Sequence, residues 1–469
     1  MPLQLVDLPR LGGFDSSSIS GDAQIFDVTH TTLNVPANSM FCCVRGASAD
    51  GHDFAAEALR SGAVALLVDR VLPIDAPQLQ VVDVRKCMAL SAAVVHGYPS
   101  RALRMVGVTG TNGKTTTAHM IGAILSAAKI KTTVAGTLSS TRTTPESTDL
   151  QRQLESWKVE GGRAYVMEVS SHALDQDRVA GTEFDVAVFT NLSRDHLDYH
   201  GSEEAYFRAK AKLFSGMTDC AVINRDDVHG RLLLEVTDAK AVDFGRGDAV
   251  DVSVTPASAS FRWEGVEIVL PMGGEFNVMN ALAAATAARE MGISASVISA
   301  GLANMTPVRG RMEPVANDRG ITVLVDYAHT PDALDKLLVS LRTAMGGKGA
   351  LSVVFGCGGD RDPGKRAPMG RVAAQNADRV ILTSDNSRSE SSELIIAQIM
   401  DGVAEANSPA VISKFVDREA AIVAAIDSAI RGDVVVIAGK GHETTQDVNG
   451  VLSEFDDAAV ARKILGGRA

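Results

Sequence analysis

The chain has 469 residues, 45% hydrophobic, 22% charged and 4% aromatic, a balance that fits a soluble protein of roughly two to four domains. Its net charge of −12 excludes the basic stripe of a nucleic-acid binder but leaves room for small anionic ligands held by local Lys and Arg. Cys42, Cys43, Cys87, Cys220 and Cys357 show no CxxC spacing, which predicts reduced thiols in a cytoplasmic protein rather than disulfides or a zinc site. The opening "MPLQLVDLPRLGGF" has neither a basic start nor an apolar stretch after it, and no apolar run is long enough to cross a bilayer, so neither a signal peptide nor a membrane span is expected.

In chain order, the first block runs to the turn "HGYPS" and mixes the short apolar runs "AVALLVDR" and "LQVVDV" with the helical "DFAAEALRSGA", which predicts a small α/β domain over residues 1–99. The second block, 100–308, opens with "RMVGVTGTNGKTTTAHMIGAILSAAK", a strand, a glycine-rich loop and a helix. Two buried-strand candidates, "AYVMEVSS" and "FDVAVFTNLS", and the helix "EFNVMNALAAATAAREMG" follow. In the third block, 309–469, the runs "ITVLVDYA", "ALSVVFGCG", "RVILTSD" and "VVVIAGKG" alternate with helical patterns. That alternation implies a mostly parallel sheet with ligands beyond its carboxyl edge. The expected class is α/β throughout: a small α/β N-terminal domain, a central P-loop-type mononucleotide-binding domain with a parallel sheet, and a Rossmann-like C-terminal domain.

"GVTGTNGKTTT" carries the first chemistry. Gly110 and Gly113 let backbone approach phosphate oxygens, Lys114 reaches the β/γ-phosphates, Thr115 offers a hydroxyl to Mg²⁺, and the next helix adds its N-terminal N–H groups. Val108 stands where the common spacing has the first glycine, so the motif is a variant. Glu168 and His196 fall at or just past later strand ends, on the same edge, where a carboxylate and an imidazole could hold Mg²⁺; His196 alone reads more often as a hydrogen-bonded surface histidine. In "YFRAKAKLF" a helix turns Lys210 inward among Tyr206, Phe207, Leu213 and Phe214 and leaves Lys212 solvated. An inward lysine is costly unless paired or modified, although helix geometry leaves a snorkelling side chain equally open.

These segments, with "TTPESTDLQ", "MEVSSHALDQDRV", "NLSRDHLDYHG", "GRME", "VDYAHTPDAL", "GCGGDRDPGKR" and "GKGHE" in order, resemble the Mur ligases, ATP-dependent amide-forming enzymes of peptidoglycan precursor synthesis. The likeness covers nearly the whole chain. It points to the members that add the third stem-peptide residue to UDP-N-acetylmuramoyl-L-alanyl-D-glutamate. "GTNGKT" alone would also admit folylpolyglutamate synthases.

The resemblance implies that Gly110, Thr111, Asn112, Gly113, Lys114, Thr115 and Thr116 bind ATP, with Asn280, Arg311 and Asp326 placing the nucleotide. It implies that Thr143, Thr144, Ser170, Gln176 and Arg178 bind the muramoyl-dipeptide. Mg²⁺ would be held by Thr115, Glu168, His196 and a carbamylated Lys210, and catalysis would rest on Lys114, Glu168, His196 and Lys210. The family often has Asp-Ser-Arg against the uridine diphosphate; here Thr31, Thr32 and Leu33 stand there, and Thr32 keeps a hydroxyl. A monomer without nucleic-acid or membrane partners is expected. A non-enzymatic relative that binds the nucleotide sugar is the rival reading, supported by that drifted triplet.

"SDNSRSE" addresses which amino acid is added. Relatives using meso-diaminopimelate carry Asp-Asn-Pro-Arg; here the loop is Asp385, Asn386, Ser387 and Arg388. An arginine can grip the distal carboxylate of diaminopimelate, which L-lysine lacks. Arg361 is expected as a second basic contact, with Gly439 and Glu443 as further contacts, Glu443 facing the ammonium. Serine for proline is expected to loosen the turn by roughly 0.4–1 kcal/mol. An Asx-turn with Arg388 capping a helix is the alternative.

Overall fold

A computed structural model describes residues 3–46, 48–139 and 142–466. The chain divides into two compact units, Met1–Gly245 with Ala283–Ile298, and Arg246–Leu282 with Ser299–Ala469.

The first unit holds two main sheets. One has the spatial order Ser18–Ser20, Gln78–Gln80, Ala63–Val68, Ser39–Cys42, Asp27–Thr29, parallel except where Ser18–Ser20 meets Gln78–Gln80. The helix Val84–Val95 starts at Asp83, whose carboxylate accepts from the Lys86 N–H, a side-chain cap for an otherwise orphaned donor. Its Met88 and Ala92 pack with Met40, Leu67 and Leu79 of the sheet.

The other sheet runs Lys240–Phe244, Thr218–Asn224, Phe184–Phe189, Arg104–Thr109, Ala164–Glu168, Thr132–Ala135, and every pairing is parallel. Its central strands are buried almost end to end, which is why they read as unbroken apolar runs rather than alternating ones. Arg104–Thr109 lies between Ala164–Glu168 and Phe184–Phe189. From this strand the chain runs out to Thr132–Ala135 and back to Ala164–Glu168 on one side, then crosses to Phe184–Phe189 on the other, so the carboxyl end of Arg104–Thr109 is the switch point at which such sheets open a crevice for ligands. The glycine-rich loop begins there.

The second unit has a three-stranded antiparallel sheet, Val250–Val254, Ala259–Trp263 and Val266–Leu270. Its six-stranded sheet has the order Glu313–Val315, Thr322–Asp326, Val434–Ala438, Leu351–Phe355, Arg379–Leu382, Val411–Lys414. Only the edge strand Glu313–Val315 is antiparallel, and Pro314 sits in it, where a missing N–H costs little. Helices Pro331–Met345, Arg366–Asn376 and Ser392–Ala406 cover one face, and Arg418–Asp427 and Asp457–Gly466 the other. The four predicted strands are present, and each ends in the polar or glycine-rich loop read from the sequence.

One buried ion pair fixes that edge. Arg418 and Asp457 have fully buried side chains. Arg418 donates Nε and Nη2 to the two Asp457 oxygens at 2.7 and 2.8 Å, and its remaining bonds reach the carbonyls of Ser384 at 3.1 Å and Ala438 at 3.0 Å. Two helices are thus tied to two strand ends. Removing one partner strands a buried charge, so Asp457→Ala is expected to cost about 3–5 kcal/mol, read as a lowered urea midpoint; an unchanged midpoint would contradict this role.

Candidate active site

The phosphate loop is pinned before any ligand arrives. Gly110 has φ +148°, and a Cβ there would collide with the Thr190 hydroxyl, so only glycine fits. Gly113, at φ +87°, caps the helix Lys114–Ala127. The Thr190 hydroxyl donates to the Asn112 carbonyl at 2.7 Å, and the Asn191 carboxamide accepts from the Asn112 N–H at 3.0 Å. Lys114 Nζ curls over the loop onto the carbonyls of Gly110 and Thr111, at 2.9 and 2.8 Å.

Glu168 ends its strand at 2% exposure. Its carboxylate accepts from the Thr115 hydroxyl at 2.9 Å and the Thr137 N–H at 2.8 Å. A hydroxyl beside an anionic oxygen pair is a donor set that suits Mg²⁺. Among the described residues no three His, Cys, Asp or Glu side chains gather closely enough to hold a metal by themselves, so a metal here would draw on the Thr115 hydroxyl and on further oxygens.

Lys210 is turned inward as the helix pattern predicted. It is 1% exposed, donates to the Gly110 carbonyl at 2.9 Å, and its Nζ lies 4.6 Å from the centre of the Tyr206 ring. Its helix, Glu203–Ala211, tightens into a short 3₁₀ turn at Lys212–Phe214 that buries Leu213 and Phe214, while Lys212 is exposed. Burial, and then the neighbouring Lys114 charge, push the Lys210 amine far below its ordinary value, with Asp195 opposing. His196 sits at φ +52° beside His172 and Tyr206, with ring centres 4.8 and 6.0 Å away. Burial lowers its pKa; Asp195 opposes this, and His172, Lys114 and Lys210 add to it.

Thr144, Ser170, Gln176 and Arg178 are brought together. The Thr144 hydroxyl donates to the Glu168 carbonyl at 3.0 Å and accepts from the Ser170 N–H at 3.0 Å. Ser170 also caps the short helix Ser171–Asp175. Arg178 donates to the Thr144 carbonyl at 3.1 Å and to Gln176 Oε1 at 2.7 Å. The Thr143 hydroxyl lies 3.1 Å from that of Thr137. Thr32 is half-buried and Leu33 is exposed.

Two residues, Glu146 and His30, carry no signal of their own in the sequence. Glu146, 6% exposed, pairs with Arg178 at 3.2 Å, with Arg85 at 3.6 Å and with Arg142. His30 lies 3.0 Å from the Thr148 hydroxyl. Glu146 stood in the quoted "TTPEST", but a lone glutamate carries no signal until three guanidiniums are seen around it.

The second unit carries the other predicted residues. Asn280 donates to Asn277 Oδ1 at 3.0 Å. Asp326 accepts from the N–H groups of Met312 and Ala328, both at 2.8 Å; burial pushes its pKa up, against the Arg311 charge and these two bonds. The Arg311 guanidinium stacks 4.6 Å from the Tyr327 ring. Asp385 is 8% exposed and accepts from the Asn386 N–H at 2.6 Å. Gly439, at φ +109°, sits where a Cβ would press on the Asp385 carboxylate at 2.9 Å.

Asn386 donates to Glu443 Oε2 at 2.8 Å. Arg388, at φ +50°, donates Nη1 to the Gly359 carbonyl at 2.6 Å, and its backbone pairs with the hairpin Thr445–Val448 and Val451–Glu454 through Asp447 and Asn449. Arg361 is exposed. Ser387 is 1% exposed, and those hairpin bonds on the next residue, with Gln446 donating to Ser384 Oγ and the Asp385 carbonyl, oppose the loosening expected from the missing proline. Arg388 caps no helix; the helix Ser392–Ala406 is capped by Ser391.

Comparison with known proteins adds to this geometry. Residues 108–288 match the Mur ligase middle domain, and 310–441 match the Mur ligase, glutamate ligase domain. The UDP-N-acetylmuramoyl-L-alanyl-D-glutamate--2,6-diaminopimelate ligase of Geobacillus kaustophilus is 42% identical over 477 residues, covering 96% of each chain. The ligase of the same name from Geobacillus thermodenitrificans is 41% identical over 494 residues, covering 100% of both. A solved structure of a ligase of that name superposes with a TM-score of 0.71 at 32% identity, covering 100% of this chain and 99% of the other.

The depressed Lys210 pKa has a stability consequence. Below the ordinary 10.5 the unfolded chain holds a proton that the native amine resists, so the destabilisation is complete below the native pKa and vanishes as pH rises past 10.5. In CO₂-free buffer the urea midpoint should climb from neutral pH toward that value, and Lys210→Met should lack this climb. Parallel pH curves for the two proteins would contradict the assignment.

Proposed function

The chain belongs to the Mur ligase family, and on that footing we propose that it is an ATP-dependent amide ligase joining meso-diaminopimelate to UDP-N-acetylmuramoyl-L-alanyl-D-glutamate in peptidoglycan precursor synthesis. The observation that carries the reading is the loop edge of the parallel sheet. There Lys114 and Lys210 meet at the Gly110 carbonyl, beside a buried Glu168 joined to the Thr115 hydroxyl. That edge presents the Lys114 cation and backbone N–H groups to phosphate and an anionic oxygen pair to a divalent cation.

The D-glutamate γ-carboxylate attacks the γ-phosphorus of ATP; the bond to the bridging oxygen breaks, and ADP leaves with that electron pair. The amine of the incoming amino acid then adds to the acyl phosphate carbonyl, and phosphate departs from the tetrahedral intermediate. Phosphoryl transfer of this kind needs mainly positioning and charge neutralisation. Lys114 supplies positive charge at the transferring group, and the N-terminus of its helix adds oriented N–H donors. Bound Mg²⁺ would neutralise phosphate oxygens, held by Thr115, Glu168, His196 and the carbamate of Lys210. A neutral amine is the form that adds CO₂ and releases a proton, and burial favours that form of Lys210. Thr143, Thr144, Ser170, Gln176 and Arg178, with Thr32, orient the muramoyl-dipeptide. Asn280, Arg311 and Asp326 bind the nucleotide. Arg361, Asp385, Asn386, Ser387, Arg388, Gly439 and Glu443 receive the diaminopimelate.

This reading treats the chain as a cytoplasmic monomer of three domains, 1–99, 100–308 and 309–469. The separate core clusters of the two sheets in the first unit support the first boundary. No helix among the described residues is long and apolar enough to cross a membrane.

Oxygen tracing tests the reaction. With the dipeptide γ-carboxylate labelled with ¹⁸O, one labelled oxygen per turnover should appear in the released phosphate. Phosphate free of label would rule out the acyl-phosphate route.

A further inference from the structure

Lys440 is wholly buried at 0% exposure, yet the proposed mechanism gives it no part. Its Nζ donates to Asn386 Oδ1 at 3.2 Å, to Glu443 Oε2 at 3.2 Å and to the Thr445 carbonyl at 2.7 Å. All three donor positions are used, so the charge is desolvated only because it is fully met.

Its partners are not a random sample of the core. Asn386 and Glu443 come from loops after two different strands, and Asn386 Nδ2 donates to the same Glu443 oxygen at 2.8 Å. Asn386 Oδ1 accepts from Lys440 and from the Asp447 N–H at 3.0 Å. With its oxygen held by two donors, the carboxamide cannot flip, and its N–H₂ must face Glu443. Glu443 Oε2 is then occupied by two donors, while its side chain as a whole is about one-third exposed, at 33%. Its Oε1 is left to receive an incoming cation. Glu443 is an acceptor held in place from behind.

We propose that Lys440 is a positioning residue for amino-acid binding: it fixes the Asn386–Glu443 pair so that one carboxylate oxygen is presented to the ammonium of the amino-acid substrate. Touching neither ATP nor the muramoyl-dipeptide in the proposed mechanism, it should act on one substrate of the three. This inference rests on the ligase reading above, and wild-type turnover with diaminopimelate is the control that separates the two: its absence would be the failure of that reading rather than of this one.

The experiment uses the full chain with Lys440→Met, Lys440→Arg, Glu443→Gln and the Lys440→Met/Glu443→Gln double variant. Loss of charge-assisted hydrogen bonds of this kind should raise KM for diaminopimelate about tenfold or more in Lys440→Met, with KM for ATP and for the muramoyl-dipeptide unchanged. Lys440→Arg should recover part of the loss. In the Glu443→Gln background the same Lys440→Met change should add little, because the group it positions is already altered. Equal rises in all three KM values, or a Lys440→Met penalty as large without Glu443 as with it, would overturn the proposal and leave Lys440 a structural residue. If Lys440→Met does not fold, Lys440→Arg decides alone: a diaminopimelate-specific KM rise supports the proposal, and an unchanged KM or a rise in all three overturns it.

Discussion

Two lysine amines converge on one carbonyl oxygen, that of Gly110, each at 2.9 Å, and the rest of the site follows from that concentration of positive charge. Two ammonium groups so close, one of them 1% exposed, repel each other in a medium that screens poorly. The protein relieves this by shifting the buried amine toward its neutral form. The Lys114 charge remains, and in the proposed reaction it is the one that meets the anionic oxygens of ATP. Every neighbouring constraint serves the convergence. Gly110 must lack a side chain against Thr190, Asn112 is clamped by Thr190 and Asn191, and Tyr206 lays its ring beside the Lys210 amine.

The second unit solves a different problem, holding a short loop still without proline. Ser384, Asp385, Asn386 and Arg388 are tied to the hairpin through Gln446, Asp447 and Asn449, and to the helices through Arg418 and Asp457. Buried charge is used here as a peg. Arg418 spends its donors on the Asp457 carboxylate and two carbonyls at strand ends, and Lys440 on two loop side chains and a carbonyl; each would be costly if one partner were lost. Rigid elements thus carry the loop that, in the proposed function, receives a small zwitterion, the arrangement that gives the most precise positioning.

Much of this was legible in the sequence, because the strongest signals are local. A buried strand running into "GTNGKTT" fixes a fold element and the glycine-rich loop at its end, and the i−4, i−3 and i+3, i+4 neighbours of Lys210 put it on the inward face, where its burial excludes the snorkelling alternative. The four third-block strands and their loops were likewise readable from apolar runs that stop abruptly. Long-range pairing was not readable. Glu146 meets arginines 61 residues before it and 32 after it (Arg85 and Arg178), Arg418 meets Asp457 across 39 residues, and Lys440 finds Asn386 across 54. Nothing in periodicity or spacing joins such pairs; they exist only once the sheets have set the register of the loops. The sequence also left Arg388 open as a helix cap, a reading excluded once Ser391 is seen to cap the next helix and Arg388 to reach the Gly359 carbonyl.

Which amino acid completes the reaction decides the role of the Asp385–Arg388 loop. The direct measurement is phosphate release with ATP, Mg²⁺ and UDP-N-acetylmuramoyl-L-alanyl-D-glutamate, comparing meso-diaminopimelate with L-lysine. Turnover is expected with diaminopimelate and essentially none with lysine, because the distal substrate carboxylate expected at Arg388 is missing from lysine. Turnover with lysine at a comparable rate would contradict the role given to that loop, and silence with both from a folded protein that binds ATP would contradict the ligase itself.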